Sequence, residues 1–215
     1  MQALKSAKSG PVAEGNVGGG TGMLCYEFKG GTGTSSRRLP DKFGGWTVGA
    51  LAQTNFGRRF QLTIAGVPVG QHLKENTIWT SGENPFRQDD GSLIIILATD
   101  APLMPHQLKR LAKRASLGMA RTGSLGGNGS GDIYLAFSTA NPRAATGDER
   151  GLSSGQMLSN NFIDPLLMAS AYVTEEAIIN SMVAAEDMTG FRGLTVKALP
   201  HDKLCEILKQ YDRIE

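Results

Sequence analysis

The pattern of hydrophobic and polar positions is clearest in residues 92–99, SLIIILAT, where a run of apolar residues follows a serine. The run is short and rich in β-branched side chains, and Asp100 and Pro102 follow it closely, which predicts a buried strand. Most of the 28 glycines lie at or before Gly91. The first part of the chain is therefore predicted to be rich in turns and the rest more helical, with a boundary near Gly91.

Shorter apolar segments predict the other strands. Upstream of Gly91, the segments GMLCYEFKGG, WTVGALAQTNFG and FQLTIAGVPVG each predict a short strand between glycine turns, at a spacing typical of an antiparallel sheet. The polar residues 71–91 predict a long loop between the last of these and the apolar run. Downstream, a glycine-rich turn precedes a predicted strand at residues 133–138, which Asn141 and Pro142 end.

Helical periodicity appears after the central strand. Residues 105–123 place apolar side chains on one face and basic side chains opposite, which predicts an amphipathic helix ending near Gly118 to Gly123. Two further helices are predicted at about residues 164–185, with a possible interruption at Thr174, and at about 201–211. Sheet and helices in this order predict an α+β layered domain and not a doubly wound nucleotide fold.

Composition narrows the function classes. A chain of 215 residues can bury one substantial core, and its formal net charge of +2 is too small to indicate a nucleic-acid or membrane partner. Cys25 and Cys205 are the two cysteines, and their spacing indicates neither a disulfide framework nor a zinc site. With neither an apolar signal segment nor a stretch as long as a membrane span, the chain is predicted to be soluble and cytoplasmic.

Two segments resemble known functional motifs, but the residues around them do not fit those motifs. The glycine-rich residues 15–23 and 30–37 lack the lysine of a phosphate-binding loop and run toward strand-like sequence, so nucleotide binding is not expected. Residues 151–155 match the nucleophile-elbow pattern G-x-S-x-G, and Asp164 and His201 follow in the order of a catalytic triad. The residues before Ser153 predict an exposed loop, however, and the elbow requires a buried strand there.

The chain has only three histidines, so a serine nucleophile such as Ser92 would need another group as its base. If Ser92 is a nucleophile, its base can be its own α-amine, freed by a cut before Ser92. The pKa of such an amine, about 8, suits general-base catalysis near neutral pH. The alternative is ordinary: Gly91 is a turn residue and Ser92 a strand-edge hydroxyl bonded to local backbone.

A family resemblance strengthens the catalytic interpretation. The segments GGGTGMLCYEFKGGTGTSSR, TVGALAQTNFGRR, DGSLIIILATDAPLMPHQLKRLAKRASLGMARTGS and GNGSGDIYLAFSTAN together resemble the DmpA-like self-processing serine aminopeptidases, which include L-aminopeptidase/D-esterases and β-peptidyl aminopeptidases. The resemblance implies a four-layer α/β/β/α sandwich of the superfamily that also contains the ornithine acetyltransferases. It also implies autocleavage into two subunits that stay together, and a homo-oligomer.

Site residues follow from the same resemblance, position by position. The cut corresponds to the bond between Gly91 and Ser92, with Ser92 as nucleophile and its α-amine as base. Asn55 matches an oxyanion-hole residue, and Ser130 and Asp132 match residues that support the nucleophile. Without the resemblance, Asn55 is also a routine turn residue, and Ser130 to Asp132 could simply close a turn onto a strand. Neither metal nor organic cofactor is implied.

The resemblance covers the C-terminal part of the family sequence. Residues 1–91 are expected to be the C-terminal part of one subunit and residues 92–215 the other, together one incomplete domain with weak activity alone. Short peptides, amino-acid amides and esters are the expected substrates. Two alternatives stay open: a non-catalytic fragment or subunit that needs an N-terminal partner, and an acyltransferase of the ornithine acetyltransferase type.

Overall fold

The computed structural model describes residues 2–78, 91–144 and 146–215. The chain alternates short irregular segments with regular elements. The helices are α1 (Gln2–Ser6), α2 (Val69–His72), α3 (Pro105–Arg121), α4 (Asp164–Val183) and α5 (His201–Gln210). The strands are β1 (Leu24–Cys25), β2 (Phe28–Lys29), β3 (Thr32–Arg38), β4 (Thr47–Asn55), β5 (Ser92–Thr99), β6 (Ile133–Ser138), β7 (Met188–Thr189) and β8 (Thr195–Val196).

The main sheet has the order β3-β4-β5-β6. β4 is antiparallel to both β3 and β5, and the pairing of β4 with β5 runs from Val48 opposite Thr99 to Asn55 opposite Ser92. β5 and β6 are parallel, and α3 lies between them in the chain, as a crossover between parallel strands requires. The predicted central strand, the helix that follows it and the strand at 133–138 are confirmed.

The core lies between this sheet and a layer made by α3 and α4, which pack on each other. On β5 alternate residues are buried on the side of the helices, namely Leu93, Ile95, Leu97 and Thr99. Ile94 is 42% exposed on the opposite face, so the apolar run is a strand buried on one side and not on both. We call this opposite side the outer face. Its most exposed apolar side chains on β5 and β6 are Ile94, Ile133, Leu135 and Phe137.

The predicted α+β class is confirmed. In the described residues, one helical layer covers one side of the main sheet, and β1–β2 and β7–β8 form two small antiparallel hairpins. β3 and β4 come from residues before Gly91, and β5 and β6 from residues after it. The main sheet therefore joins the two halves of the chain on either side of that position.

The strand predicted at residues 60–70 is wrong. Ile64 and Val67 bond to each other across a tight turn, with N–O distances of 3.0 and 2.9 Å, and Ala65 adopts a left-handed φ of 52°. Pro68 then precedes α2, so the segment ends in a helix and not in a strand. The loop predicted at residues 71–91 is correspondingly shortened at its start, and its residues 79–90 lie outside the described part of the chain.

Two other predictions are corrected. Residues 22–31 form the hairpin β1–β2 instead of one strand, because Tyr26 and Glu27 both have positive φ angles, 52° and 62°. α4 continues through Thr174 without interruption. The Thr174 hydroxyl is buried and donates to the carbonyl of Ser170 one turn earlier, so this side chain satisfies its polar group inside the helix.

None of the helices within residues 2–78, 91–144 and 146–215 combines the length and apolar character needed to cross a bilayer.

Candidate active site

Asn55 and Ser92 lie where β4 ends and β5 begins. They are directly paired in the antiparallel ladder, so both side chains are on the same face of the sheet. Their neighbours Thr54 and Leu93 point to the buried side, which places Asn55 and Ser92 on the outer face, where both are half-buried. The structure therefore brings together two of the predicted site residues although 37 positions separate them in the chain.

The loop before β6 packs against the start of β5. The Gly131 N–H donates a hydrogen bond of 2.9 Å to the Ser92 Oγ, so this hydroxyl is an acceptor there and its own proton remains available for transfer. Asp132 accepts a 3.0 Å bond from the Leu93 N–H through Oδ1. Asp132 is thus held beside the residue that follows Ser92.

Tyr134, on β6, supports Asp132 through a hydrogen bond. Its hydroxyl donates to Asp132 Oδ2 at 3.4 Å and lies 3.4 Å from the Met119 sulfur on α3. Burial raises the pKa of Tyr134, and the nearby Asp132 carboxylate raises it further. The phenol therefore stays a donor at neutral pH. Tyr134 is not among the site residues predicted from the sequence, although period-two alternation places it on the same side of β6 as Asp132.

Ser130 lies next to this cluster without bonding to Ser92. Its N–H donates to the Gly127 carbonyl at 2.9 Å, which closes the turn that presents Gly131. In the described part of the chain its half-buried hydroxyl makes no hydrogen bond to Ser92. Of the two supporting residues predicted in this loop, Asp132 contacts the start of β5 and Ser130 lies one residue from the Gly131 donor.

The Asn55 amide has a defined orientation. Its Oδ1 accepts a 3.1 Å bond from the N–H of Leu24, at the start of β1. An asparagine amide has one acceptor oxygen and one NH2 donor, so fixing the oxygen leaves the NH2 group as the donor presented elsewhere. That is the arrangement a developing oxyanion would need. The contribution of Leu24 comes from its backbone, which no side-chain pattern indicates.

Glycine is required at position 91 for steric reasons. A Cβ atom at this position would lie 2.5 Å from the Asn55 carbonyl oxygen and 2.7 Å from the Phe56 Cα. Both neighbours are backbone atoms, which cannot rotate away as a side chain can. The close approach of Gly91 to the end of β4 therefore excludes a larger residue at this position.

The competing nucleophile motif lies in an exposed loop. Ser153 donates to the carbonyl of Thr146, and no strand precedes it in the described residues from 139 to 152. Asp164 and His201 begin α4 and α5. The geometry of a nucleophile elbow is therefore missing. In the described ranges, no group of three or more His, Cys, Asp or Glu residues is arranged to hold a metal ion.

Known proteins share both the sequence and this architecture. The sequence model of peptidase family S58 matches residues 1–196. The β-peptidyl aminopeptidases BapA of Sphingosinicella microcystinivorans and Sphingosinicella xenopeptidilytica are each 47% identical to this chain, over 100% and 96% of it. The matches cover 56% and 53% of those proteins, so the chain spans about half the length of these relatives.

Solved structures of similar proteins have the same fold. The L-aminopeptidase D-Ala-esterase/amidase of Ochrobactrum anthropi, described as a prototype of the serine aminopeptidases and a new variant of the Ntn hydrolase fold, superposes with a TM-score of 0.86 at 50% identity. That match covers 100% of this chain and 57% of the other. The β-aminopeptidase of a Burkholderia species gives a TM-score of 0.82 at 46% identity, over 97% of this chain and 57% of its own.

Proposed function

The chain belongs to peptidase family S58, and from this membership we propose that it forms part of a serine aminopeptidase with Ser92 as the nucleophile. The enzyme releases an amino-terminal residue from short peptides, amino-acid amides or esters. The observation that carries the proposal is the pairing of Asn55 with Ser92 at the ends of β4 and β5, which puts an oriented amide donor beside a hydroxyl.

Activation begins with cleavage of the bond between Gly91 and Ser92. The Ser92 Oγ attacks the Gly91 carbonyl carbon, the peptide C–N bond breaks, and the acyl group passes from nitrogen to oxygen while the hydroxyl proton is transferred to the Ser92 nitrogen. Water then hydrolyses the resulting ester, leaving a carboxylate on Gly91 and a free α-amine on Ser92. The lack of a Cβ on Gly91 supports this step, because it lets the scissile bond lie against the backbone of Asn55 and Phe56.

Catalysis then uses the freed amine as a general base. The amine accepts the proton of the Ser92 Oγ as the oxygen attacks the substrate carbonyl, and it returns that proton to the departing amine or alcohol. The acyl-enzyme is hydrolysed by a water molecule that the same amine deprotonates. Asn55 donates to the oxyanion in both steps. Asp132, bonded to the Leu93 N–H, holds the start of β5 in place, and Ser130 closes the turn that presents the Gly131 N–H to Ser92.

The proposed substrate class is inferred from the names of the relatives. Two of them are named β-peptidyl aminopeptidases and one an L-aminopeptidase and D-Ala-esterase/amidase. We therefore expect substrates with a free amino group on either the α or the β carbon. We propose no cofactor, since the hydroxyl, the amine and the amide donor suffice for acyl transfer to water.

Assembly is a separate part of the proposal. We expect a homo-oligomer, and the exposed Leu135 and Phe137 on the outer face supply apolar surface for association. Size-exclusion chromatography with light scattering tests this point. A monodisperse monomer at micromolar concentration would contradict it.

The activity is tested with the full chain on p-nitroanilides of L-α-, D-α- and β-amino acids, together with denaturing mass spectrometry. The wild type should hydrolyse at least one substrate, with weak activity for this chain alone, and part of it should be present as a fragment that begins at Ser92. Ser92→Ala should be inactive and uncut, while Ser153→Ala, in the exposed loop, should resemble the wild type. Hydrolysis by Ser92→Ala would refute the assignment.

A further inference from the structure

Lys29 is buried at the end of the β1–β2 hairpin, and its ammonium group donates hydrogen bonds to backbone carbonyls. It is 2% exposed, and its Nζ donates to the carbonyls of Gly20, Met23 and Gly30 at 3.0, 2.9 and 2.8 Å. An ammonium group has three donors, so all of them are used. In the described residues no carboxylate lies within ion-pair distance of it, and burial lowers the pKa of Lys29.

The Met23 carbonyl connects Lys29 to the candidate site. This carbonyl and the Leu24 N–H belong to one planar peptide group, in which they point in opposite directions. The carbonyl oxygen accepts from the Lys29 Nζ at 2.9 Å and from the Gly30 N–H at 3.1 Å. The N–H on the other side donates to Asn55 Oδ1 at 3.1 Å. One peptide group therefore lies between a buried cation and the Asn55 amide.

We propose that Lys29 is a positioning residue that orients and polarises the Asn55 amide through the Met23–Leu24 peptide group. The inference rests on the proposed function, in which Asn55 donates to the oxyanion. A cation at the carbonyl makes the peptide N–H a stronger donor, and that bond in turn makes the Asn55 NH2 a stronger donor, since bonds in a chain polarise one another. The charge acts on the reaction without touching the substrate.

The glycine-rich loop around Lys29 has other anchors. Gly15 and Thr32 exchange two backbone bonds of 2.8 and 3.0 Å, and the Thr21 hydroxyl donates to the Gly18 carbonyl at 2.8 Å. Loss of the Lys29 charge should therefore leave the loop in place. What it removes is the cation that holds the Met23 carbonyl, and so the fixed direction of the Leu24 N–H.

Kinetics separate positioning from mere support of the fold. In the full chain, Lys29→Met should lower kcat by about tenfold, as expected when a charge-assisted bond behind an oxyanion donor is lost, with KM unchanged. Added to Asn55→Ala, it should cause no further loss. Lys29→Gln removes the charge but keeps two N–H donors, and should also lower kcat. Lys109→Met, at an exposed position on α3, is the matched control and should have no effect.

A second measurement does not need activity. The side-chain amide signals of Asn55 in an amide ¹⁵N NMR spectrum, assigned from their loss in Asn55→Asp, should shift in both Lys29 variants but not in Lys109→Met. The Leu24 N–H should also exchange faster in the Lys29 variants. Additive kinetic losses, or unchanged Asn55 signals in a folded Lys29 variant, would overturn the inference. If the wild type hydrolyses no substrate, the proposed function fails, and the NMR result alone decides whether Lys29 controls Asn55.

Discussion

Asn55 and Ser92 face each other across the β4–β5 ladder, as the last residue of one strand and the first of the next. Directly opposed residues in an antiparallel pair have Cβ atoms about 5 Å apart, within reach of one carbonyl group bound between them. The pairing puts a hydroxyl and an amide donor at one end of the outer face, and the Gly131 N–H meets the hydroxyl from the neighbouring loop.

Asn55→Ala should therefore lower kcat by about a hundredfold or more, which is typical for removal of one oxyanion donor, while KM changes little. Steady-state kinetics on an aminoacyl p-nitroanilide measure both constants. Asn161→Ala, at an exposed position just before α4, serves as the control and should retain wild-type rates. A loss confined to KM would show that Asn55 binds the ground state and does not stabilise the oxyanion.

Gly91→Ala should slow or prevent chain cleavage. The added methyl group would overlap the Asn55 carbonyl oxygen, so the 91–92 peptide must move away from the end of β4. The fraction of cut chain over time, measured by denaturing mass spectrometry, should fall relative to the wild type. Gly22→Ala is a suitable control because a Cβ there meets no atom within 4 Å. Cleavage at the wild-type rate in Gly91→Ala would argue against a steric requirement for glycine.

Tyr134→Phe should make the fold less sensitive to alkali. The pKa of Tyr134 is raised in the folded chain, so above about pH 10 the unfolded chain releases this proton while the folded chain keeps it. The free energy of unfolding therefore contains a contribution that is present below that pH and decreases above it. Urea unfolding at pH 8 and pH 10.5 should show a smaller decrease for Tyr134→Phe than for the wild type. An equal decrease in the two proteins would contradict this prediction.

Gly118→Ala should destabilise the fold although alanine favours helices. A Cβ at Gly118 on α3 would lie 2.4 Å from the Ala171 carbonyl oxygen and 2.6 Å from the Thr174 Cβ, both on α4. Separating two packed helices by a methyl group costs about 1–3 kcal/mol, more than the gain of up to about 1 kcal/mol from helix propensity. Chemical denaturation gives the difference. Ser116→Ala on the same helix should change stability little, and equal stabilities for both variants would exclude a tight α3–α4 crossing.

Local pattern was enough to predict the elements that bury one regular face. The alternation of residues 133–138 and the helical spacing of 105–123 match β6 and α3 closely. The predictions from this pattern were wrong where residues other than glycine adopt left-handed backbone angles. Tyr26 and Glu27 hold such a turn because the Arg59 side chain, far along the chain, donates to both of their carbonyls.

The candidate site was predictable only in part. Gly91 and Ser92 stand out because they introduce the most apolar strand, and the family resemblance supplied Asn55, Ser130 and Asp132. The direction of the Asn55 amide was not predictable, since its partner is a backbone N–H 31 residues away. Lys29 gives no sequence signal either, because a lysine in a glycine-rich segment is usually solvated.

The position of Ser92 at the start of an interior strand has a thermodynamic consequence for a chain cut before it. The two fragments would share the β4–β5 ladder, so the free energy of unfolding and the affinity between the fragments become one quantity. Dilution, which has no effect on the folding of an intact chain, would then promote unfolding of the cut one. A core substitution such as Gly118→Ala would raise the dissociation constant of a heterodimer, although it lies far along the chain from the cut.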